Sequence, residues 1–168
     1  MTSRTAAPRQ VRRPSRSQAA GRDHLSLRVW LRLFSCSTLV AARVSSALKR
    51  EFGSSLARFD VLSQLYREPE GLRMGELSTR TLTTGGNITW LVGALEQDGY
   101  VTRSTASEDR RASRVSLTAA GRRHFALMAQ AHERWIVEMF SALSAAEQRA
   151  MYEALGTAKQ GMTSARIP

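Results

Sequence analysis

The most pointed chemistry in this sequence lies in the run Ser107-Glu108-Asp109-Arg110-Arg111-Ala112-Ser113-Arg114. Arginine presents a planar fork of N–H donors that matches phosphate oxygens, and a narrow duplex groove attracts such a cation. Asp109 beside Arg110 and Arg111 can fix the direction in which a guanidinium points. The flanking runs, Tyr100-Val101-Thr102-Arg103 and Arg114-Val115-Ser116-Leu117, read as short strands. Two strands with a basic loop between them form a hairpin that projects its arginines. Arg114 precedes the inward Val115, so it faces outward and adds a candidate phosphate contact.

A second group of polar residues stands at the start of a helix. Thr83, Thr84, Gly85, Gly86 and Asn87 lead into Ile88, Leu91, Val92 and Leu95, whose spacing is helical. Thr83, Thr84, Asn87 and Thr89 can hydrogen-bond to phosphates or base edges. Gly86, lacking a side chain, lets backbone N–H groups approach a phosphate closely. The same run also reads as an ordinary turn. Trp90 on this helix either packs under the hairpin or reaches a thymine methyl.

The elements that position these groups follow from periodicity. Residues 1–22 are rich in Arg, Ser, Pro and Ala and poor in large apolar side chains, so they are expected to form a disordered basic tail. Residues 23–57 carry a helix with Trp30, Leu33, Phe34, Ala41, Val44 and Leu48 at helical spacing, ended by Gly53. It is apolar on more than one side, so a partner chain must cover it. Residues 58–117 hold three shorter helices, predicted from Leu56 to Arg67, around Met74–Leu77 and from Thr83 or Thr84 to Gly99, followed by the hairpin. Residues 118–162 hold two more helices, the first opened by Thr118 and running to about Phe140, the second opened by the capping box Ser144-Ala145-Ala146-Glu147. Met151 and Leu155 are expected to face inward. The fold class is mainly α with a small antiparallel β wing, a winged helix-turn-helix with a helical dimerisation region.

Composition narrows the function. At 168 residues the chain holds one well-buried domain. The net charge of +11 and the pI near 11.4 favour a polyanionic partner, nucleic acid ahead of an anionic membrane surface. The single cysteine, Cys36, excludes an intramolecular disulfide and suits a reducing cytosol. No apolar stretch reads as long enough to span a bilayer and no signal peptide follows the N-terminal arginines, so the expected location is cytoplasmic. No nucleophile elbow, phosphate loop or paired carboxylates support an enzyme, and His24, His124 and His132 lack the companions of a metal site. No cofactor is expected.

The string Leu95-Glu96-Gln97-Asp98-Gly99-Tyr100-Val101-Thr102-Arg103, then Asp109-Arg110-Arg111, then Val115-Ser116-Leu117-Thr118-Ala119-Ala120-Gly121 resembles the MarR family of winged-helix repressors. The resemblance covers roughly Asp23 to Met162. It implies a homodimer with interlocked first and last helices, a palindromic double-stranded DNA operator, and release by a small ligand or by oxidation. It also places Arg111 in the minor groove, with Arg103 and Arg110 on phosphates and Asp109 orienting an arginine.

A narrower similarity rests on Trp30-Leu31-Arg32-Leu33, Phe52-Gly53, Arg58-Phe59-Asp60-Val61-Leu62 and Thr84-Gly85-Gly86-Asn87-Ile88-Thr89. It looks like the branch that senses aromatic acids or aromatic acyl-CoA thioesters. The aromatics Trp30, Phe34, Phe59 and Trp135 are candidates to line a ligand pocket between the dimer base and the reading head, with Arg32 and Arg58 as cations to meet an anionic ligand, although such aromatics also read as plain core and such arginines as solvated. Cys36 is expected to be a buried, inert thiol rather than a peroxide sensor. The competing reading is a nonspecific or architectural DNA-binding protein, for which positive charge alone suffices.

Overall fold

The computed structural model describes residues 16–81, 85–104 and 114–164. Among these the element order is α1 (Arg16–Phe52), α2 (Leu56–Tyr66), β1 (Leu72–Arg73), α3 (Met74–Arg80), α4 (Gly85–Gln97), β2 (Val101–Ser104), β3 (Arg114–Leu117), α5 (Ala119–Met139) and α6 (Ala145–Ser164). The chain divides into two units, Met1–Val40 and Ala41–Pro168. The mainly helical class with a small antiparallel sheet is observed.

Local chemistry sets the helix starts. The Ser55 hydroxyl accepts the Arg58 N–H at 3.2 Å and caps α2. Thr118 Oγ1 accepts the Gly121 N–H at 3.0 Å and caps α5. Ser144 and Glu147 form the expected capping box before α6, the Ser144 N–H donating to Glu147 Oε2 at 2.8 Å. Each such cap satisfies an N–H that the helix itself leaves unpaired and contributes about 1 kcal/mol. Gly99, at φ 73°, lies in the left-handed region that ends α4 and turns the chain into β2.

α1 begins at Arg16 rather than at Asp23. Between Arg16 and Asp23 the one poor helix former is Gly21, which the helix runs through, and no proline lies in this stretch. By length and composition alone His24–Phe52 could cross a bilayer, which corrects the expectation that no such stretch exists. Scattered charges and hydroxyl side chains hid it: arginines, Lys49, Glu51, serines and Thr38 interrupt the apolar run. Val44, Ala47 and Leu48 of the same helix are buried in the second unit, where protein side chains rather than lipid cover them. In the first unit Leu25, Leu27, Val29, Trp30, Leu31, Phe34 and Leu39 are exposed. Cys36 is exposed with them, not buried as expected, because this stretch of α1 has no core of its own to enter.

The core of the second unit forms where the inner faces of the short helices meet the sheet. Val61, Leu62 and Leu65 of α2, Leu77 of α3, and Ile88, Leu91, Val92 and Leu95 of α4 are buried with Val101, Val115 and Leu117. Phe125, Met128 and Ala131 of α5 complete it. Each fully buried Leu or Val contributes about 1.5–3 kcal/mol of transfer free energy. The sheet has three strands in the order β1-β3-β2, all pairs antiparallel. β1 is the strand that sequence patterning missed. It is a two-residue strand, too short to show alternation, and only the pairing Leu72↔Val115 and Arg73↔Arg114 defines it.

α6 departs from expectation. It has no buried residue, and Met151 and Leu155 are both exposed. A helix that carries apolar side chains at helical spacing but finds no surface in its own chain needs another one.

Candidate nucleic-acid interface

α4 has a sharp division of faces. Ile88, Leu91, Val92 and Leu95 point into the core, while Asn87, Thr89 and Trp90 are exposed. Trp90 is 68% exposed, so among the described residues the indole is not covered by the core. Gly86 lies in the first turn of α4, and the expected contacts of Thr83 and Thr84 lie outside the described residues. The neighbouring α3 is held by a capping box in which the Arg73 N–H donates to Glu76 Oε2 at 2.8 Å. That hydrogen bond is the main reason the Glu76 carboxyl titrates below its ordinary range. The buried Thr81 then closes α3, its hydroxyl donating to the Leu77 carbonyl at 3.0 Å.

The hairpin supplies the second part of the surface. Asp109, Arg110 and Arg111 lie outside the described residues, while both strand stems are defined. Val101 pairs with Leu117 and Arg103 with Val115; Val101 is buried, whereas Thr102, Arg103 and Ser104 are exposed. Arg103 Nε meets Glu96 Oε2 at 3.1 Å. Arg103 therefore ties β2 to the end of α4. Arg114 lies on the face opposite the buried Val115, as expected, but its guanidinium folds onto main chain. Nε donates to the Glu70 carbonyl at 3.1 Å and an NH2 group to the Gly71 carbonyl at 2.8 Å. Arg114 thus clamps the turn before β1, and any phosphate contact would use its remaining N–H groups.

A separate cluster joins the helices of the second unit. Arg58 of α2 pairs with Asp98 at the end of α4. Arg58 Nε is buried and makes no hydrogen bond among the described residues. The His124 ring of α5 stacks on Tyr100 at 4.3 Å with an interplanar angle of 2° and meets the edge of Phe52 at 6.0 Å. Phe59 packs on Phe125 at 5.4 Å and on His132 at 4.9 Å. Of the expected ligand residues, Arg58 and Phe59 lie in this cluster on successive positions of α2. Trp30, Arg32 and Phe34 belong to the first unit, where all three are exposed and the two aromatic rings stack at 6.1 Å.

The MarR family model matches residues 52–112, the stretch from the end of α1 through the hairpin loop. A solved structure described as a MarR family transcriptional regulator from Silicibacter pomeroyi superposes with a TM-score of 0.71. It is 33% identical and covers 84% of this chain and 97% of its own. This chain belongs to the MarR family. Among curated relatives, the transcriptional activatory protein BadR of Rhodopseudomonas palustris is 29% identical over 114 residues, 67% of this chain and 65% of BadR. The HTH-type transcriptional regulator YkoM of Bacillus subtilis is 32% identical over 100 residues, 59% of this chain and 64% of YkoM. The chain thus spans a little under two thirds of the length of these curated relatives.

Within this MarR chain the matched range leaves α5 and α6 outside. Sequence reasoning missed Glu96 and Asp98, the anions that hold Arg103 and Arg58. It also missed His124 and Tyr100 as a stacked pair. The Arg58–Asp98 partners are 40 residues apart, and no local pattern joins them.

The two histidines of the MarR cluster give a pH prediction. Desolvation, then the nearby Arg58 charge, hold the His124 pKa below its ordinary 6.5, with Asp98 opposing. Burial alone lowers that of His132 from the same value. The unfolded chain therefore binds more protons than the folded one just below pH 6.5. Their contribution to stability is fully present above that value and is lost as the pH falls through it towards the lowered folded values. Denaturant midpoints should drop between about pH 7.5 and 5.5 in the parent and drop less when His124 and His132 are both replaced by Gln. Equal drops in the two proteins would contradict this.

Proposed function

We propose that this chain is a dimeric, sequence-specific DNA-binding transcription regulator. In this reading it is a cytoplasmic repressor released from a palindromic operator by a small aromatic acid or aromatic acyl-CoA thioester. The observation that carries the DNA reading is the outer face of α4. Hydrogen-bonding and aromatic side chains are held in the open there by a helix whose other face is locked in the core. One helix of this kind enters a major groove, and basic side chains on an adjacent hairpin reach the backbone or the minor groove. The net charge of +11 supplies nonspecific attraction; the ordered face of α4 is what a merely basic, architectural protein would not need. Dimerisation would proceed through α1 and the C-terminal helices, whose apolar residues stand exposed. BadR is named as activatory, so a reporter assay with its two outcomes, repression or activation, decides the sign.

The ligand reading rests on Arg58 and Phe59. A guanidinium with one buried, unpaired N–H beside a wall of aromatic rings suits an aromatic anion. The anion would compete with Asp98 for Arg58 and so pull on the junction between α2 and the end of α4. It lowers operator affinity only if it binds the DNA-incompetent arrangement more tightly.

One binding series tests the whole reading. A duplex selected from random sequence should bind the parent with clear preference over unrelated DNA. Arg111→Ala should weaken it by about 1–3 kcal/mol with the melting temperature unchanged. Hydroxycinnamate, benzoate or their thioesters should lower the affinity of the parent. Binding that follows salt but not sequence would leave the architectural reading instead.

A further inference from the structure

We propose that Trp90 is a base-reading residue: its indole packs against the C5-methyl group of a thymine in the major groove. The inference rests on the DNA-binding reading above and deepens it. At 3.6 residues per turn, Gly86, Trp90, Gly93 and Gln97 share one stripe of α4. That stripe lies opposite the buried residues Ile88, Leu91, Val92 and Leu95. Asn87 and Thr89 flank it on either side, both exposed. The indole therefore stands at the centre of the outer face, 68% exposed, on a helix whose rigid packing fixes its direction.

Gly93 adds an independent observation. Glycine inside a helix costs about 1 kcal/mol relative to alanine, so it needs a reason. A Cβ built at Gly93 would meet only the tip of the Arg103 side chain, at 4.0 Å. The fold itself has room for a larger residue there. The missing side chain instead leaves the backbone next to Trp90 free to approach an outside surface closely.

The chemistry of that surface follows from what surrounds the indole. Its neighbours Asn87 and Thr89 are hydrogen-bonding groups suited to base edges and phosphates, and the chain is strongly cationic. In the major groove the thymine methyl is the apolar group on offer, and it is also what separates A·T from T·A by contact rather than by hydrogen bonds. An exposed indole flanked by polar readers matches that target.

The test removes the methyl and nothing else. Duplexes are first selected from random sequence with the full chain. In the selected duplex each thymine is replaced singly by deoxyuridine, which keeps the base pair. Affinities are then measured for the parent and for Trp90→Ala. One thymine in each half-site is expected to cost the parent about fourfold on replacement, the worth of one buried methyl group. At that same position Trp90→Ala is expected to bind thymine and deoxyuridine equally, with an unchanged melting temperature. If every thymine replacement costs parent and variant alike, the proposal is overturned while the DNA reading stands. A changed oligomeric state in Trp90→Ala, with no coupled thymine, overturns it in favour of a protein contact. Failure to select any preferred sequence removes the sequence-specific reading, and this inference with it, and leaves the architectural one.

Discussion

Replacing Gly121 by alanine is expected to lower the unfolding midpoint of this protein by roughly 10 °C. Gly121 is buried in the first turn of α5, and a Cβ built there would lie 1.9 Å from the Tyr100 carbonyl oxygen and 2.8 Å from its carbonyl carbon. These are main-chain atoms that cannot swing aside. The same Tyr100 oxygen accepts the Thr118 N–H at 3.0 Å and lies 3.3 Å from the Thr118 hydroxyl. Making room for one methyl group therefore separates α5 from the start of β2 and disturbs the Thr118 cap as well. Overpacking against fixed backbone costs about 3 kcal/mol. For a chain of this size each kcal/mol moves the midpoint by about 2–4 °C. Alanine is otherwise the better helix former, so a purely local view predicts a gain in stability. Calorimetry of the variant separates the two: an unchanged or raised midpoint would show that α5 and Tyr100 do not meet as described. Because Tyr100 also stacks on His124, the variant should alter the histidine titration too.

Introducing a carboxylate at Leu155 is expected to abolish dimerisation. α6 carries Met151, Tyr152, Leu155 and Met162 without burying any of them, and Tyr152 is 81% exposed. Leu127 and Val137 of α5 are exposed as well. A protein that left all of these in water would be prone to associate nonspecifically, whereas a second copy can cover them by a symmetric contact. In such a contact Leu155→Asp acts twice, once from each chain. Burying an unpaired carboxylate costs several kcal/mol per ion. The parent should sediment as a dimer at micromolar concentration and Leu155→Asp as a monomer or an unfolded chain. Loss of folding in the variant would mark the dimer as obligate. A folded parent monomer under those conditions would overturn the dimer proposal.

How far the sequence could be read depends on the range of each interaction. The helix starts at Ala119 and Ala145 were legible because Thr118 and Ser144 act on N–H groups a few residues away; Ser55 caps α2 in the same way but was not read. The end of α4 was legible because Gly99 is the residue that adopts positive φ at no steric cost. The inward face of α4 was legible from spacing alone. The ion pair of Arg103 with Glu96 was not legible, because a basic side chain beside the hairpin drew attention to phosphates instead. The start of α1 was misjudged because composition argued for disorder, while the residues between Arg16 and Asp23 hold no proline and the helix runs through Gly21.

By itself the sequence determined the order of the helices, the position of the hairpin and which face of each short helix is apolar, since all three follow from local caps and side-chain periodicity. Tertiary structure alone decided the rest. β1 exists because Leu72 finds Val115, and Arg114 is turned onto the carbonyls of Glu70 and Gly71 by that same pairing. Arg58 meets Asp98 across a wide gap in sequence. Gly121 is required because α5 runs onto Tyr100. Trp90 is left exposed because the helix beneath it has already filled the core. Such contacts join residues whose separation along the chain carries no periodic signal, so only the packing of whole elements against one another can specify them.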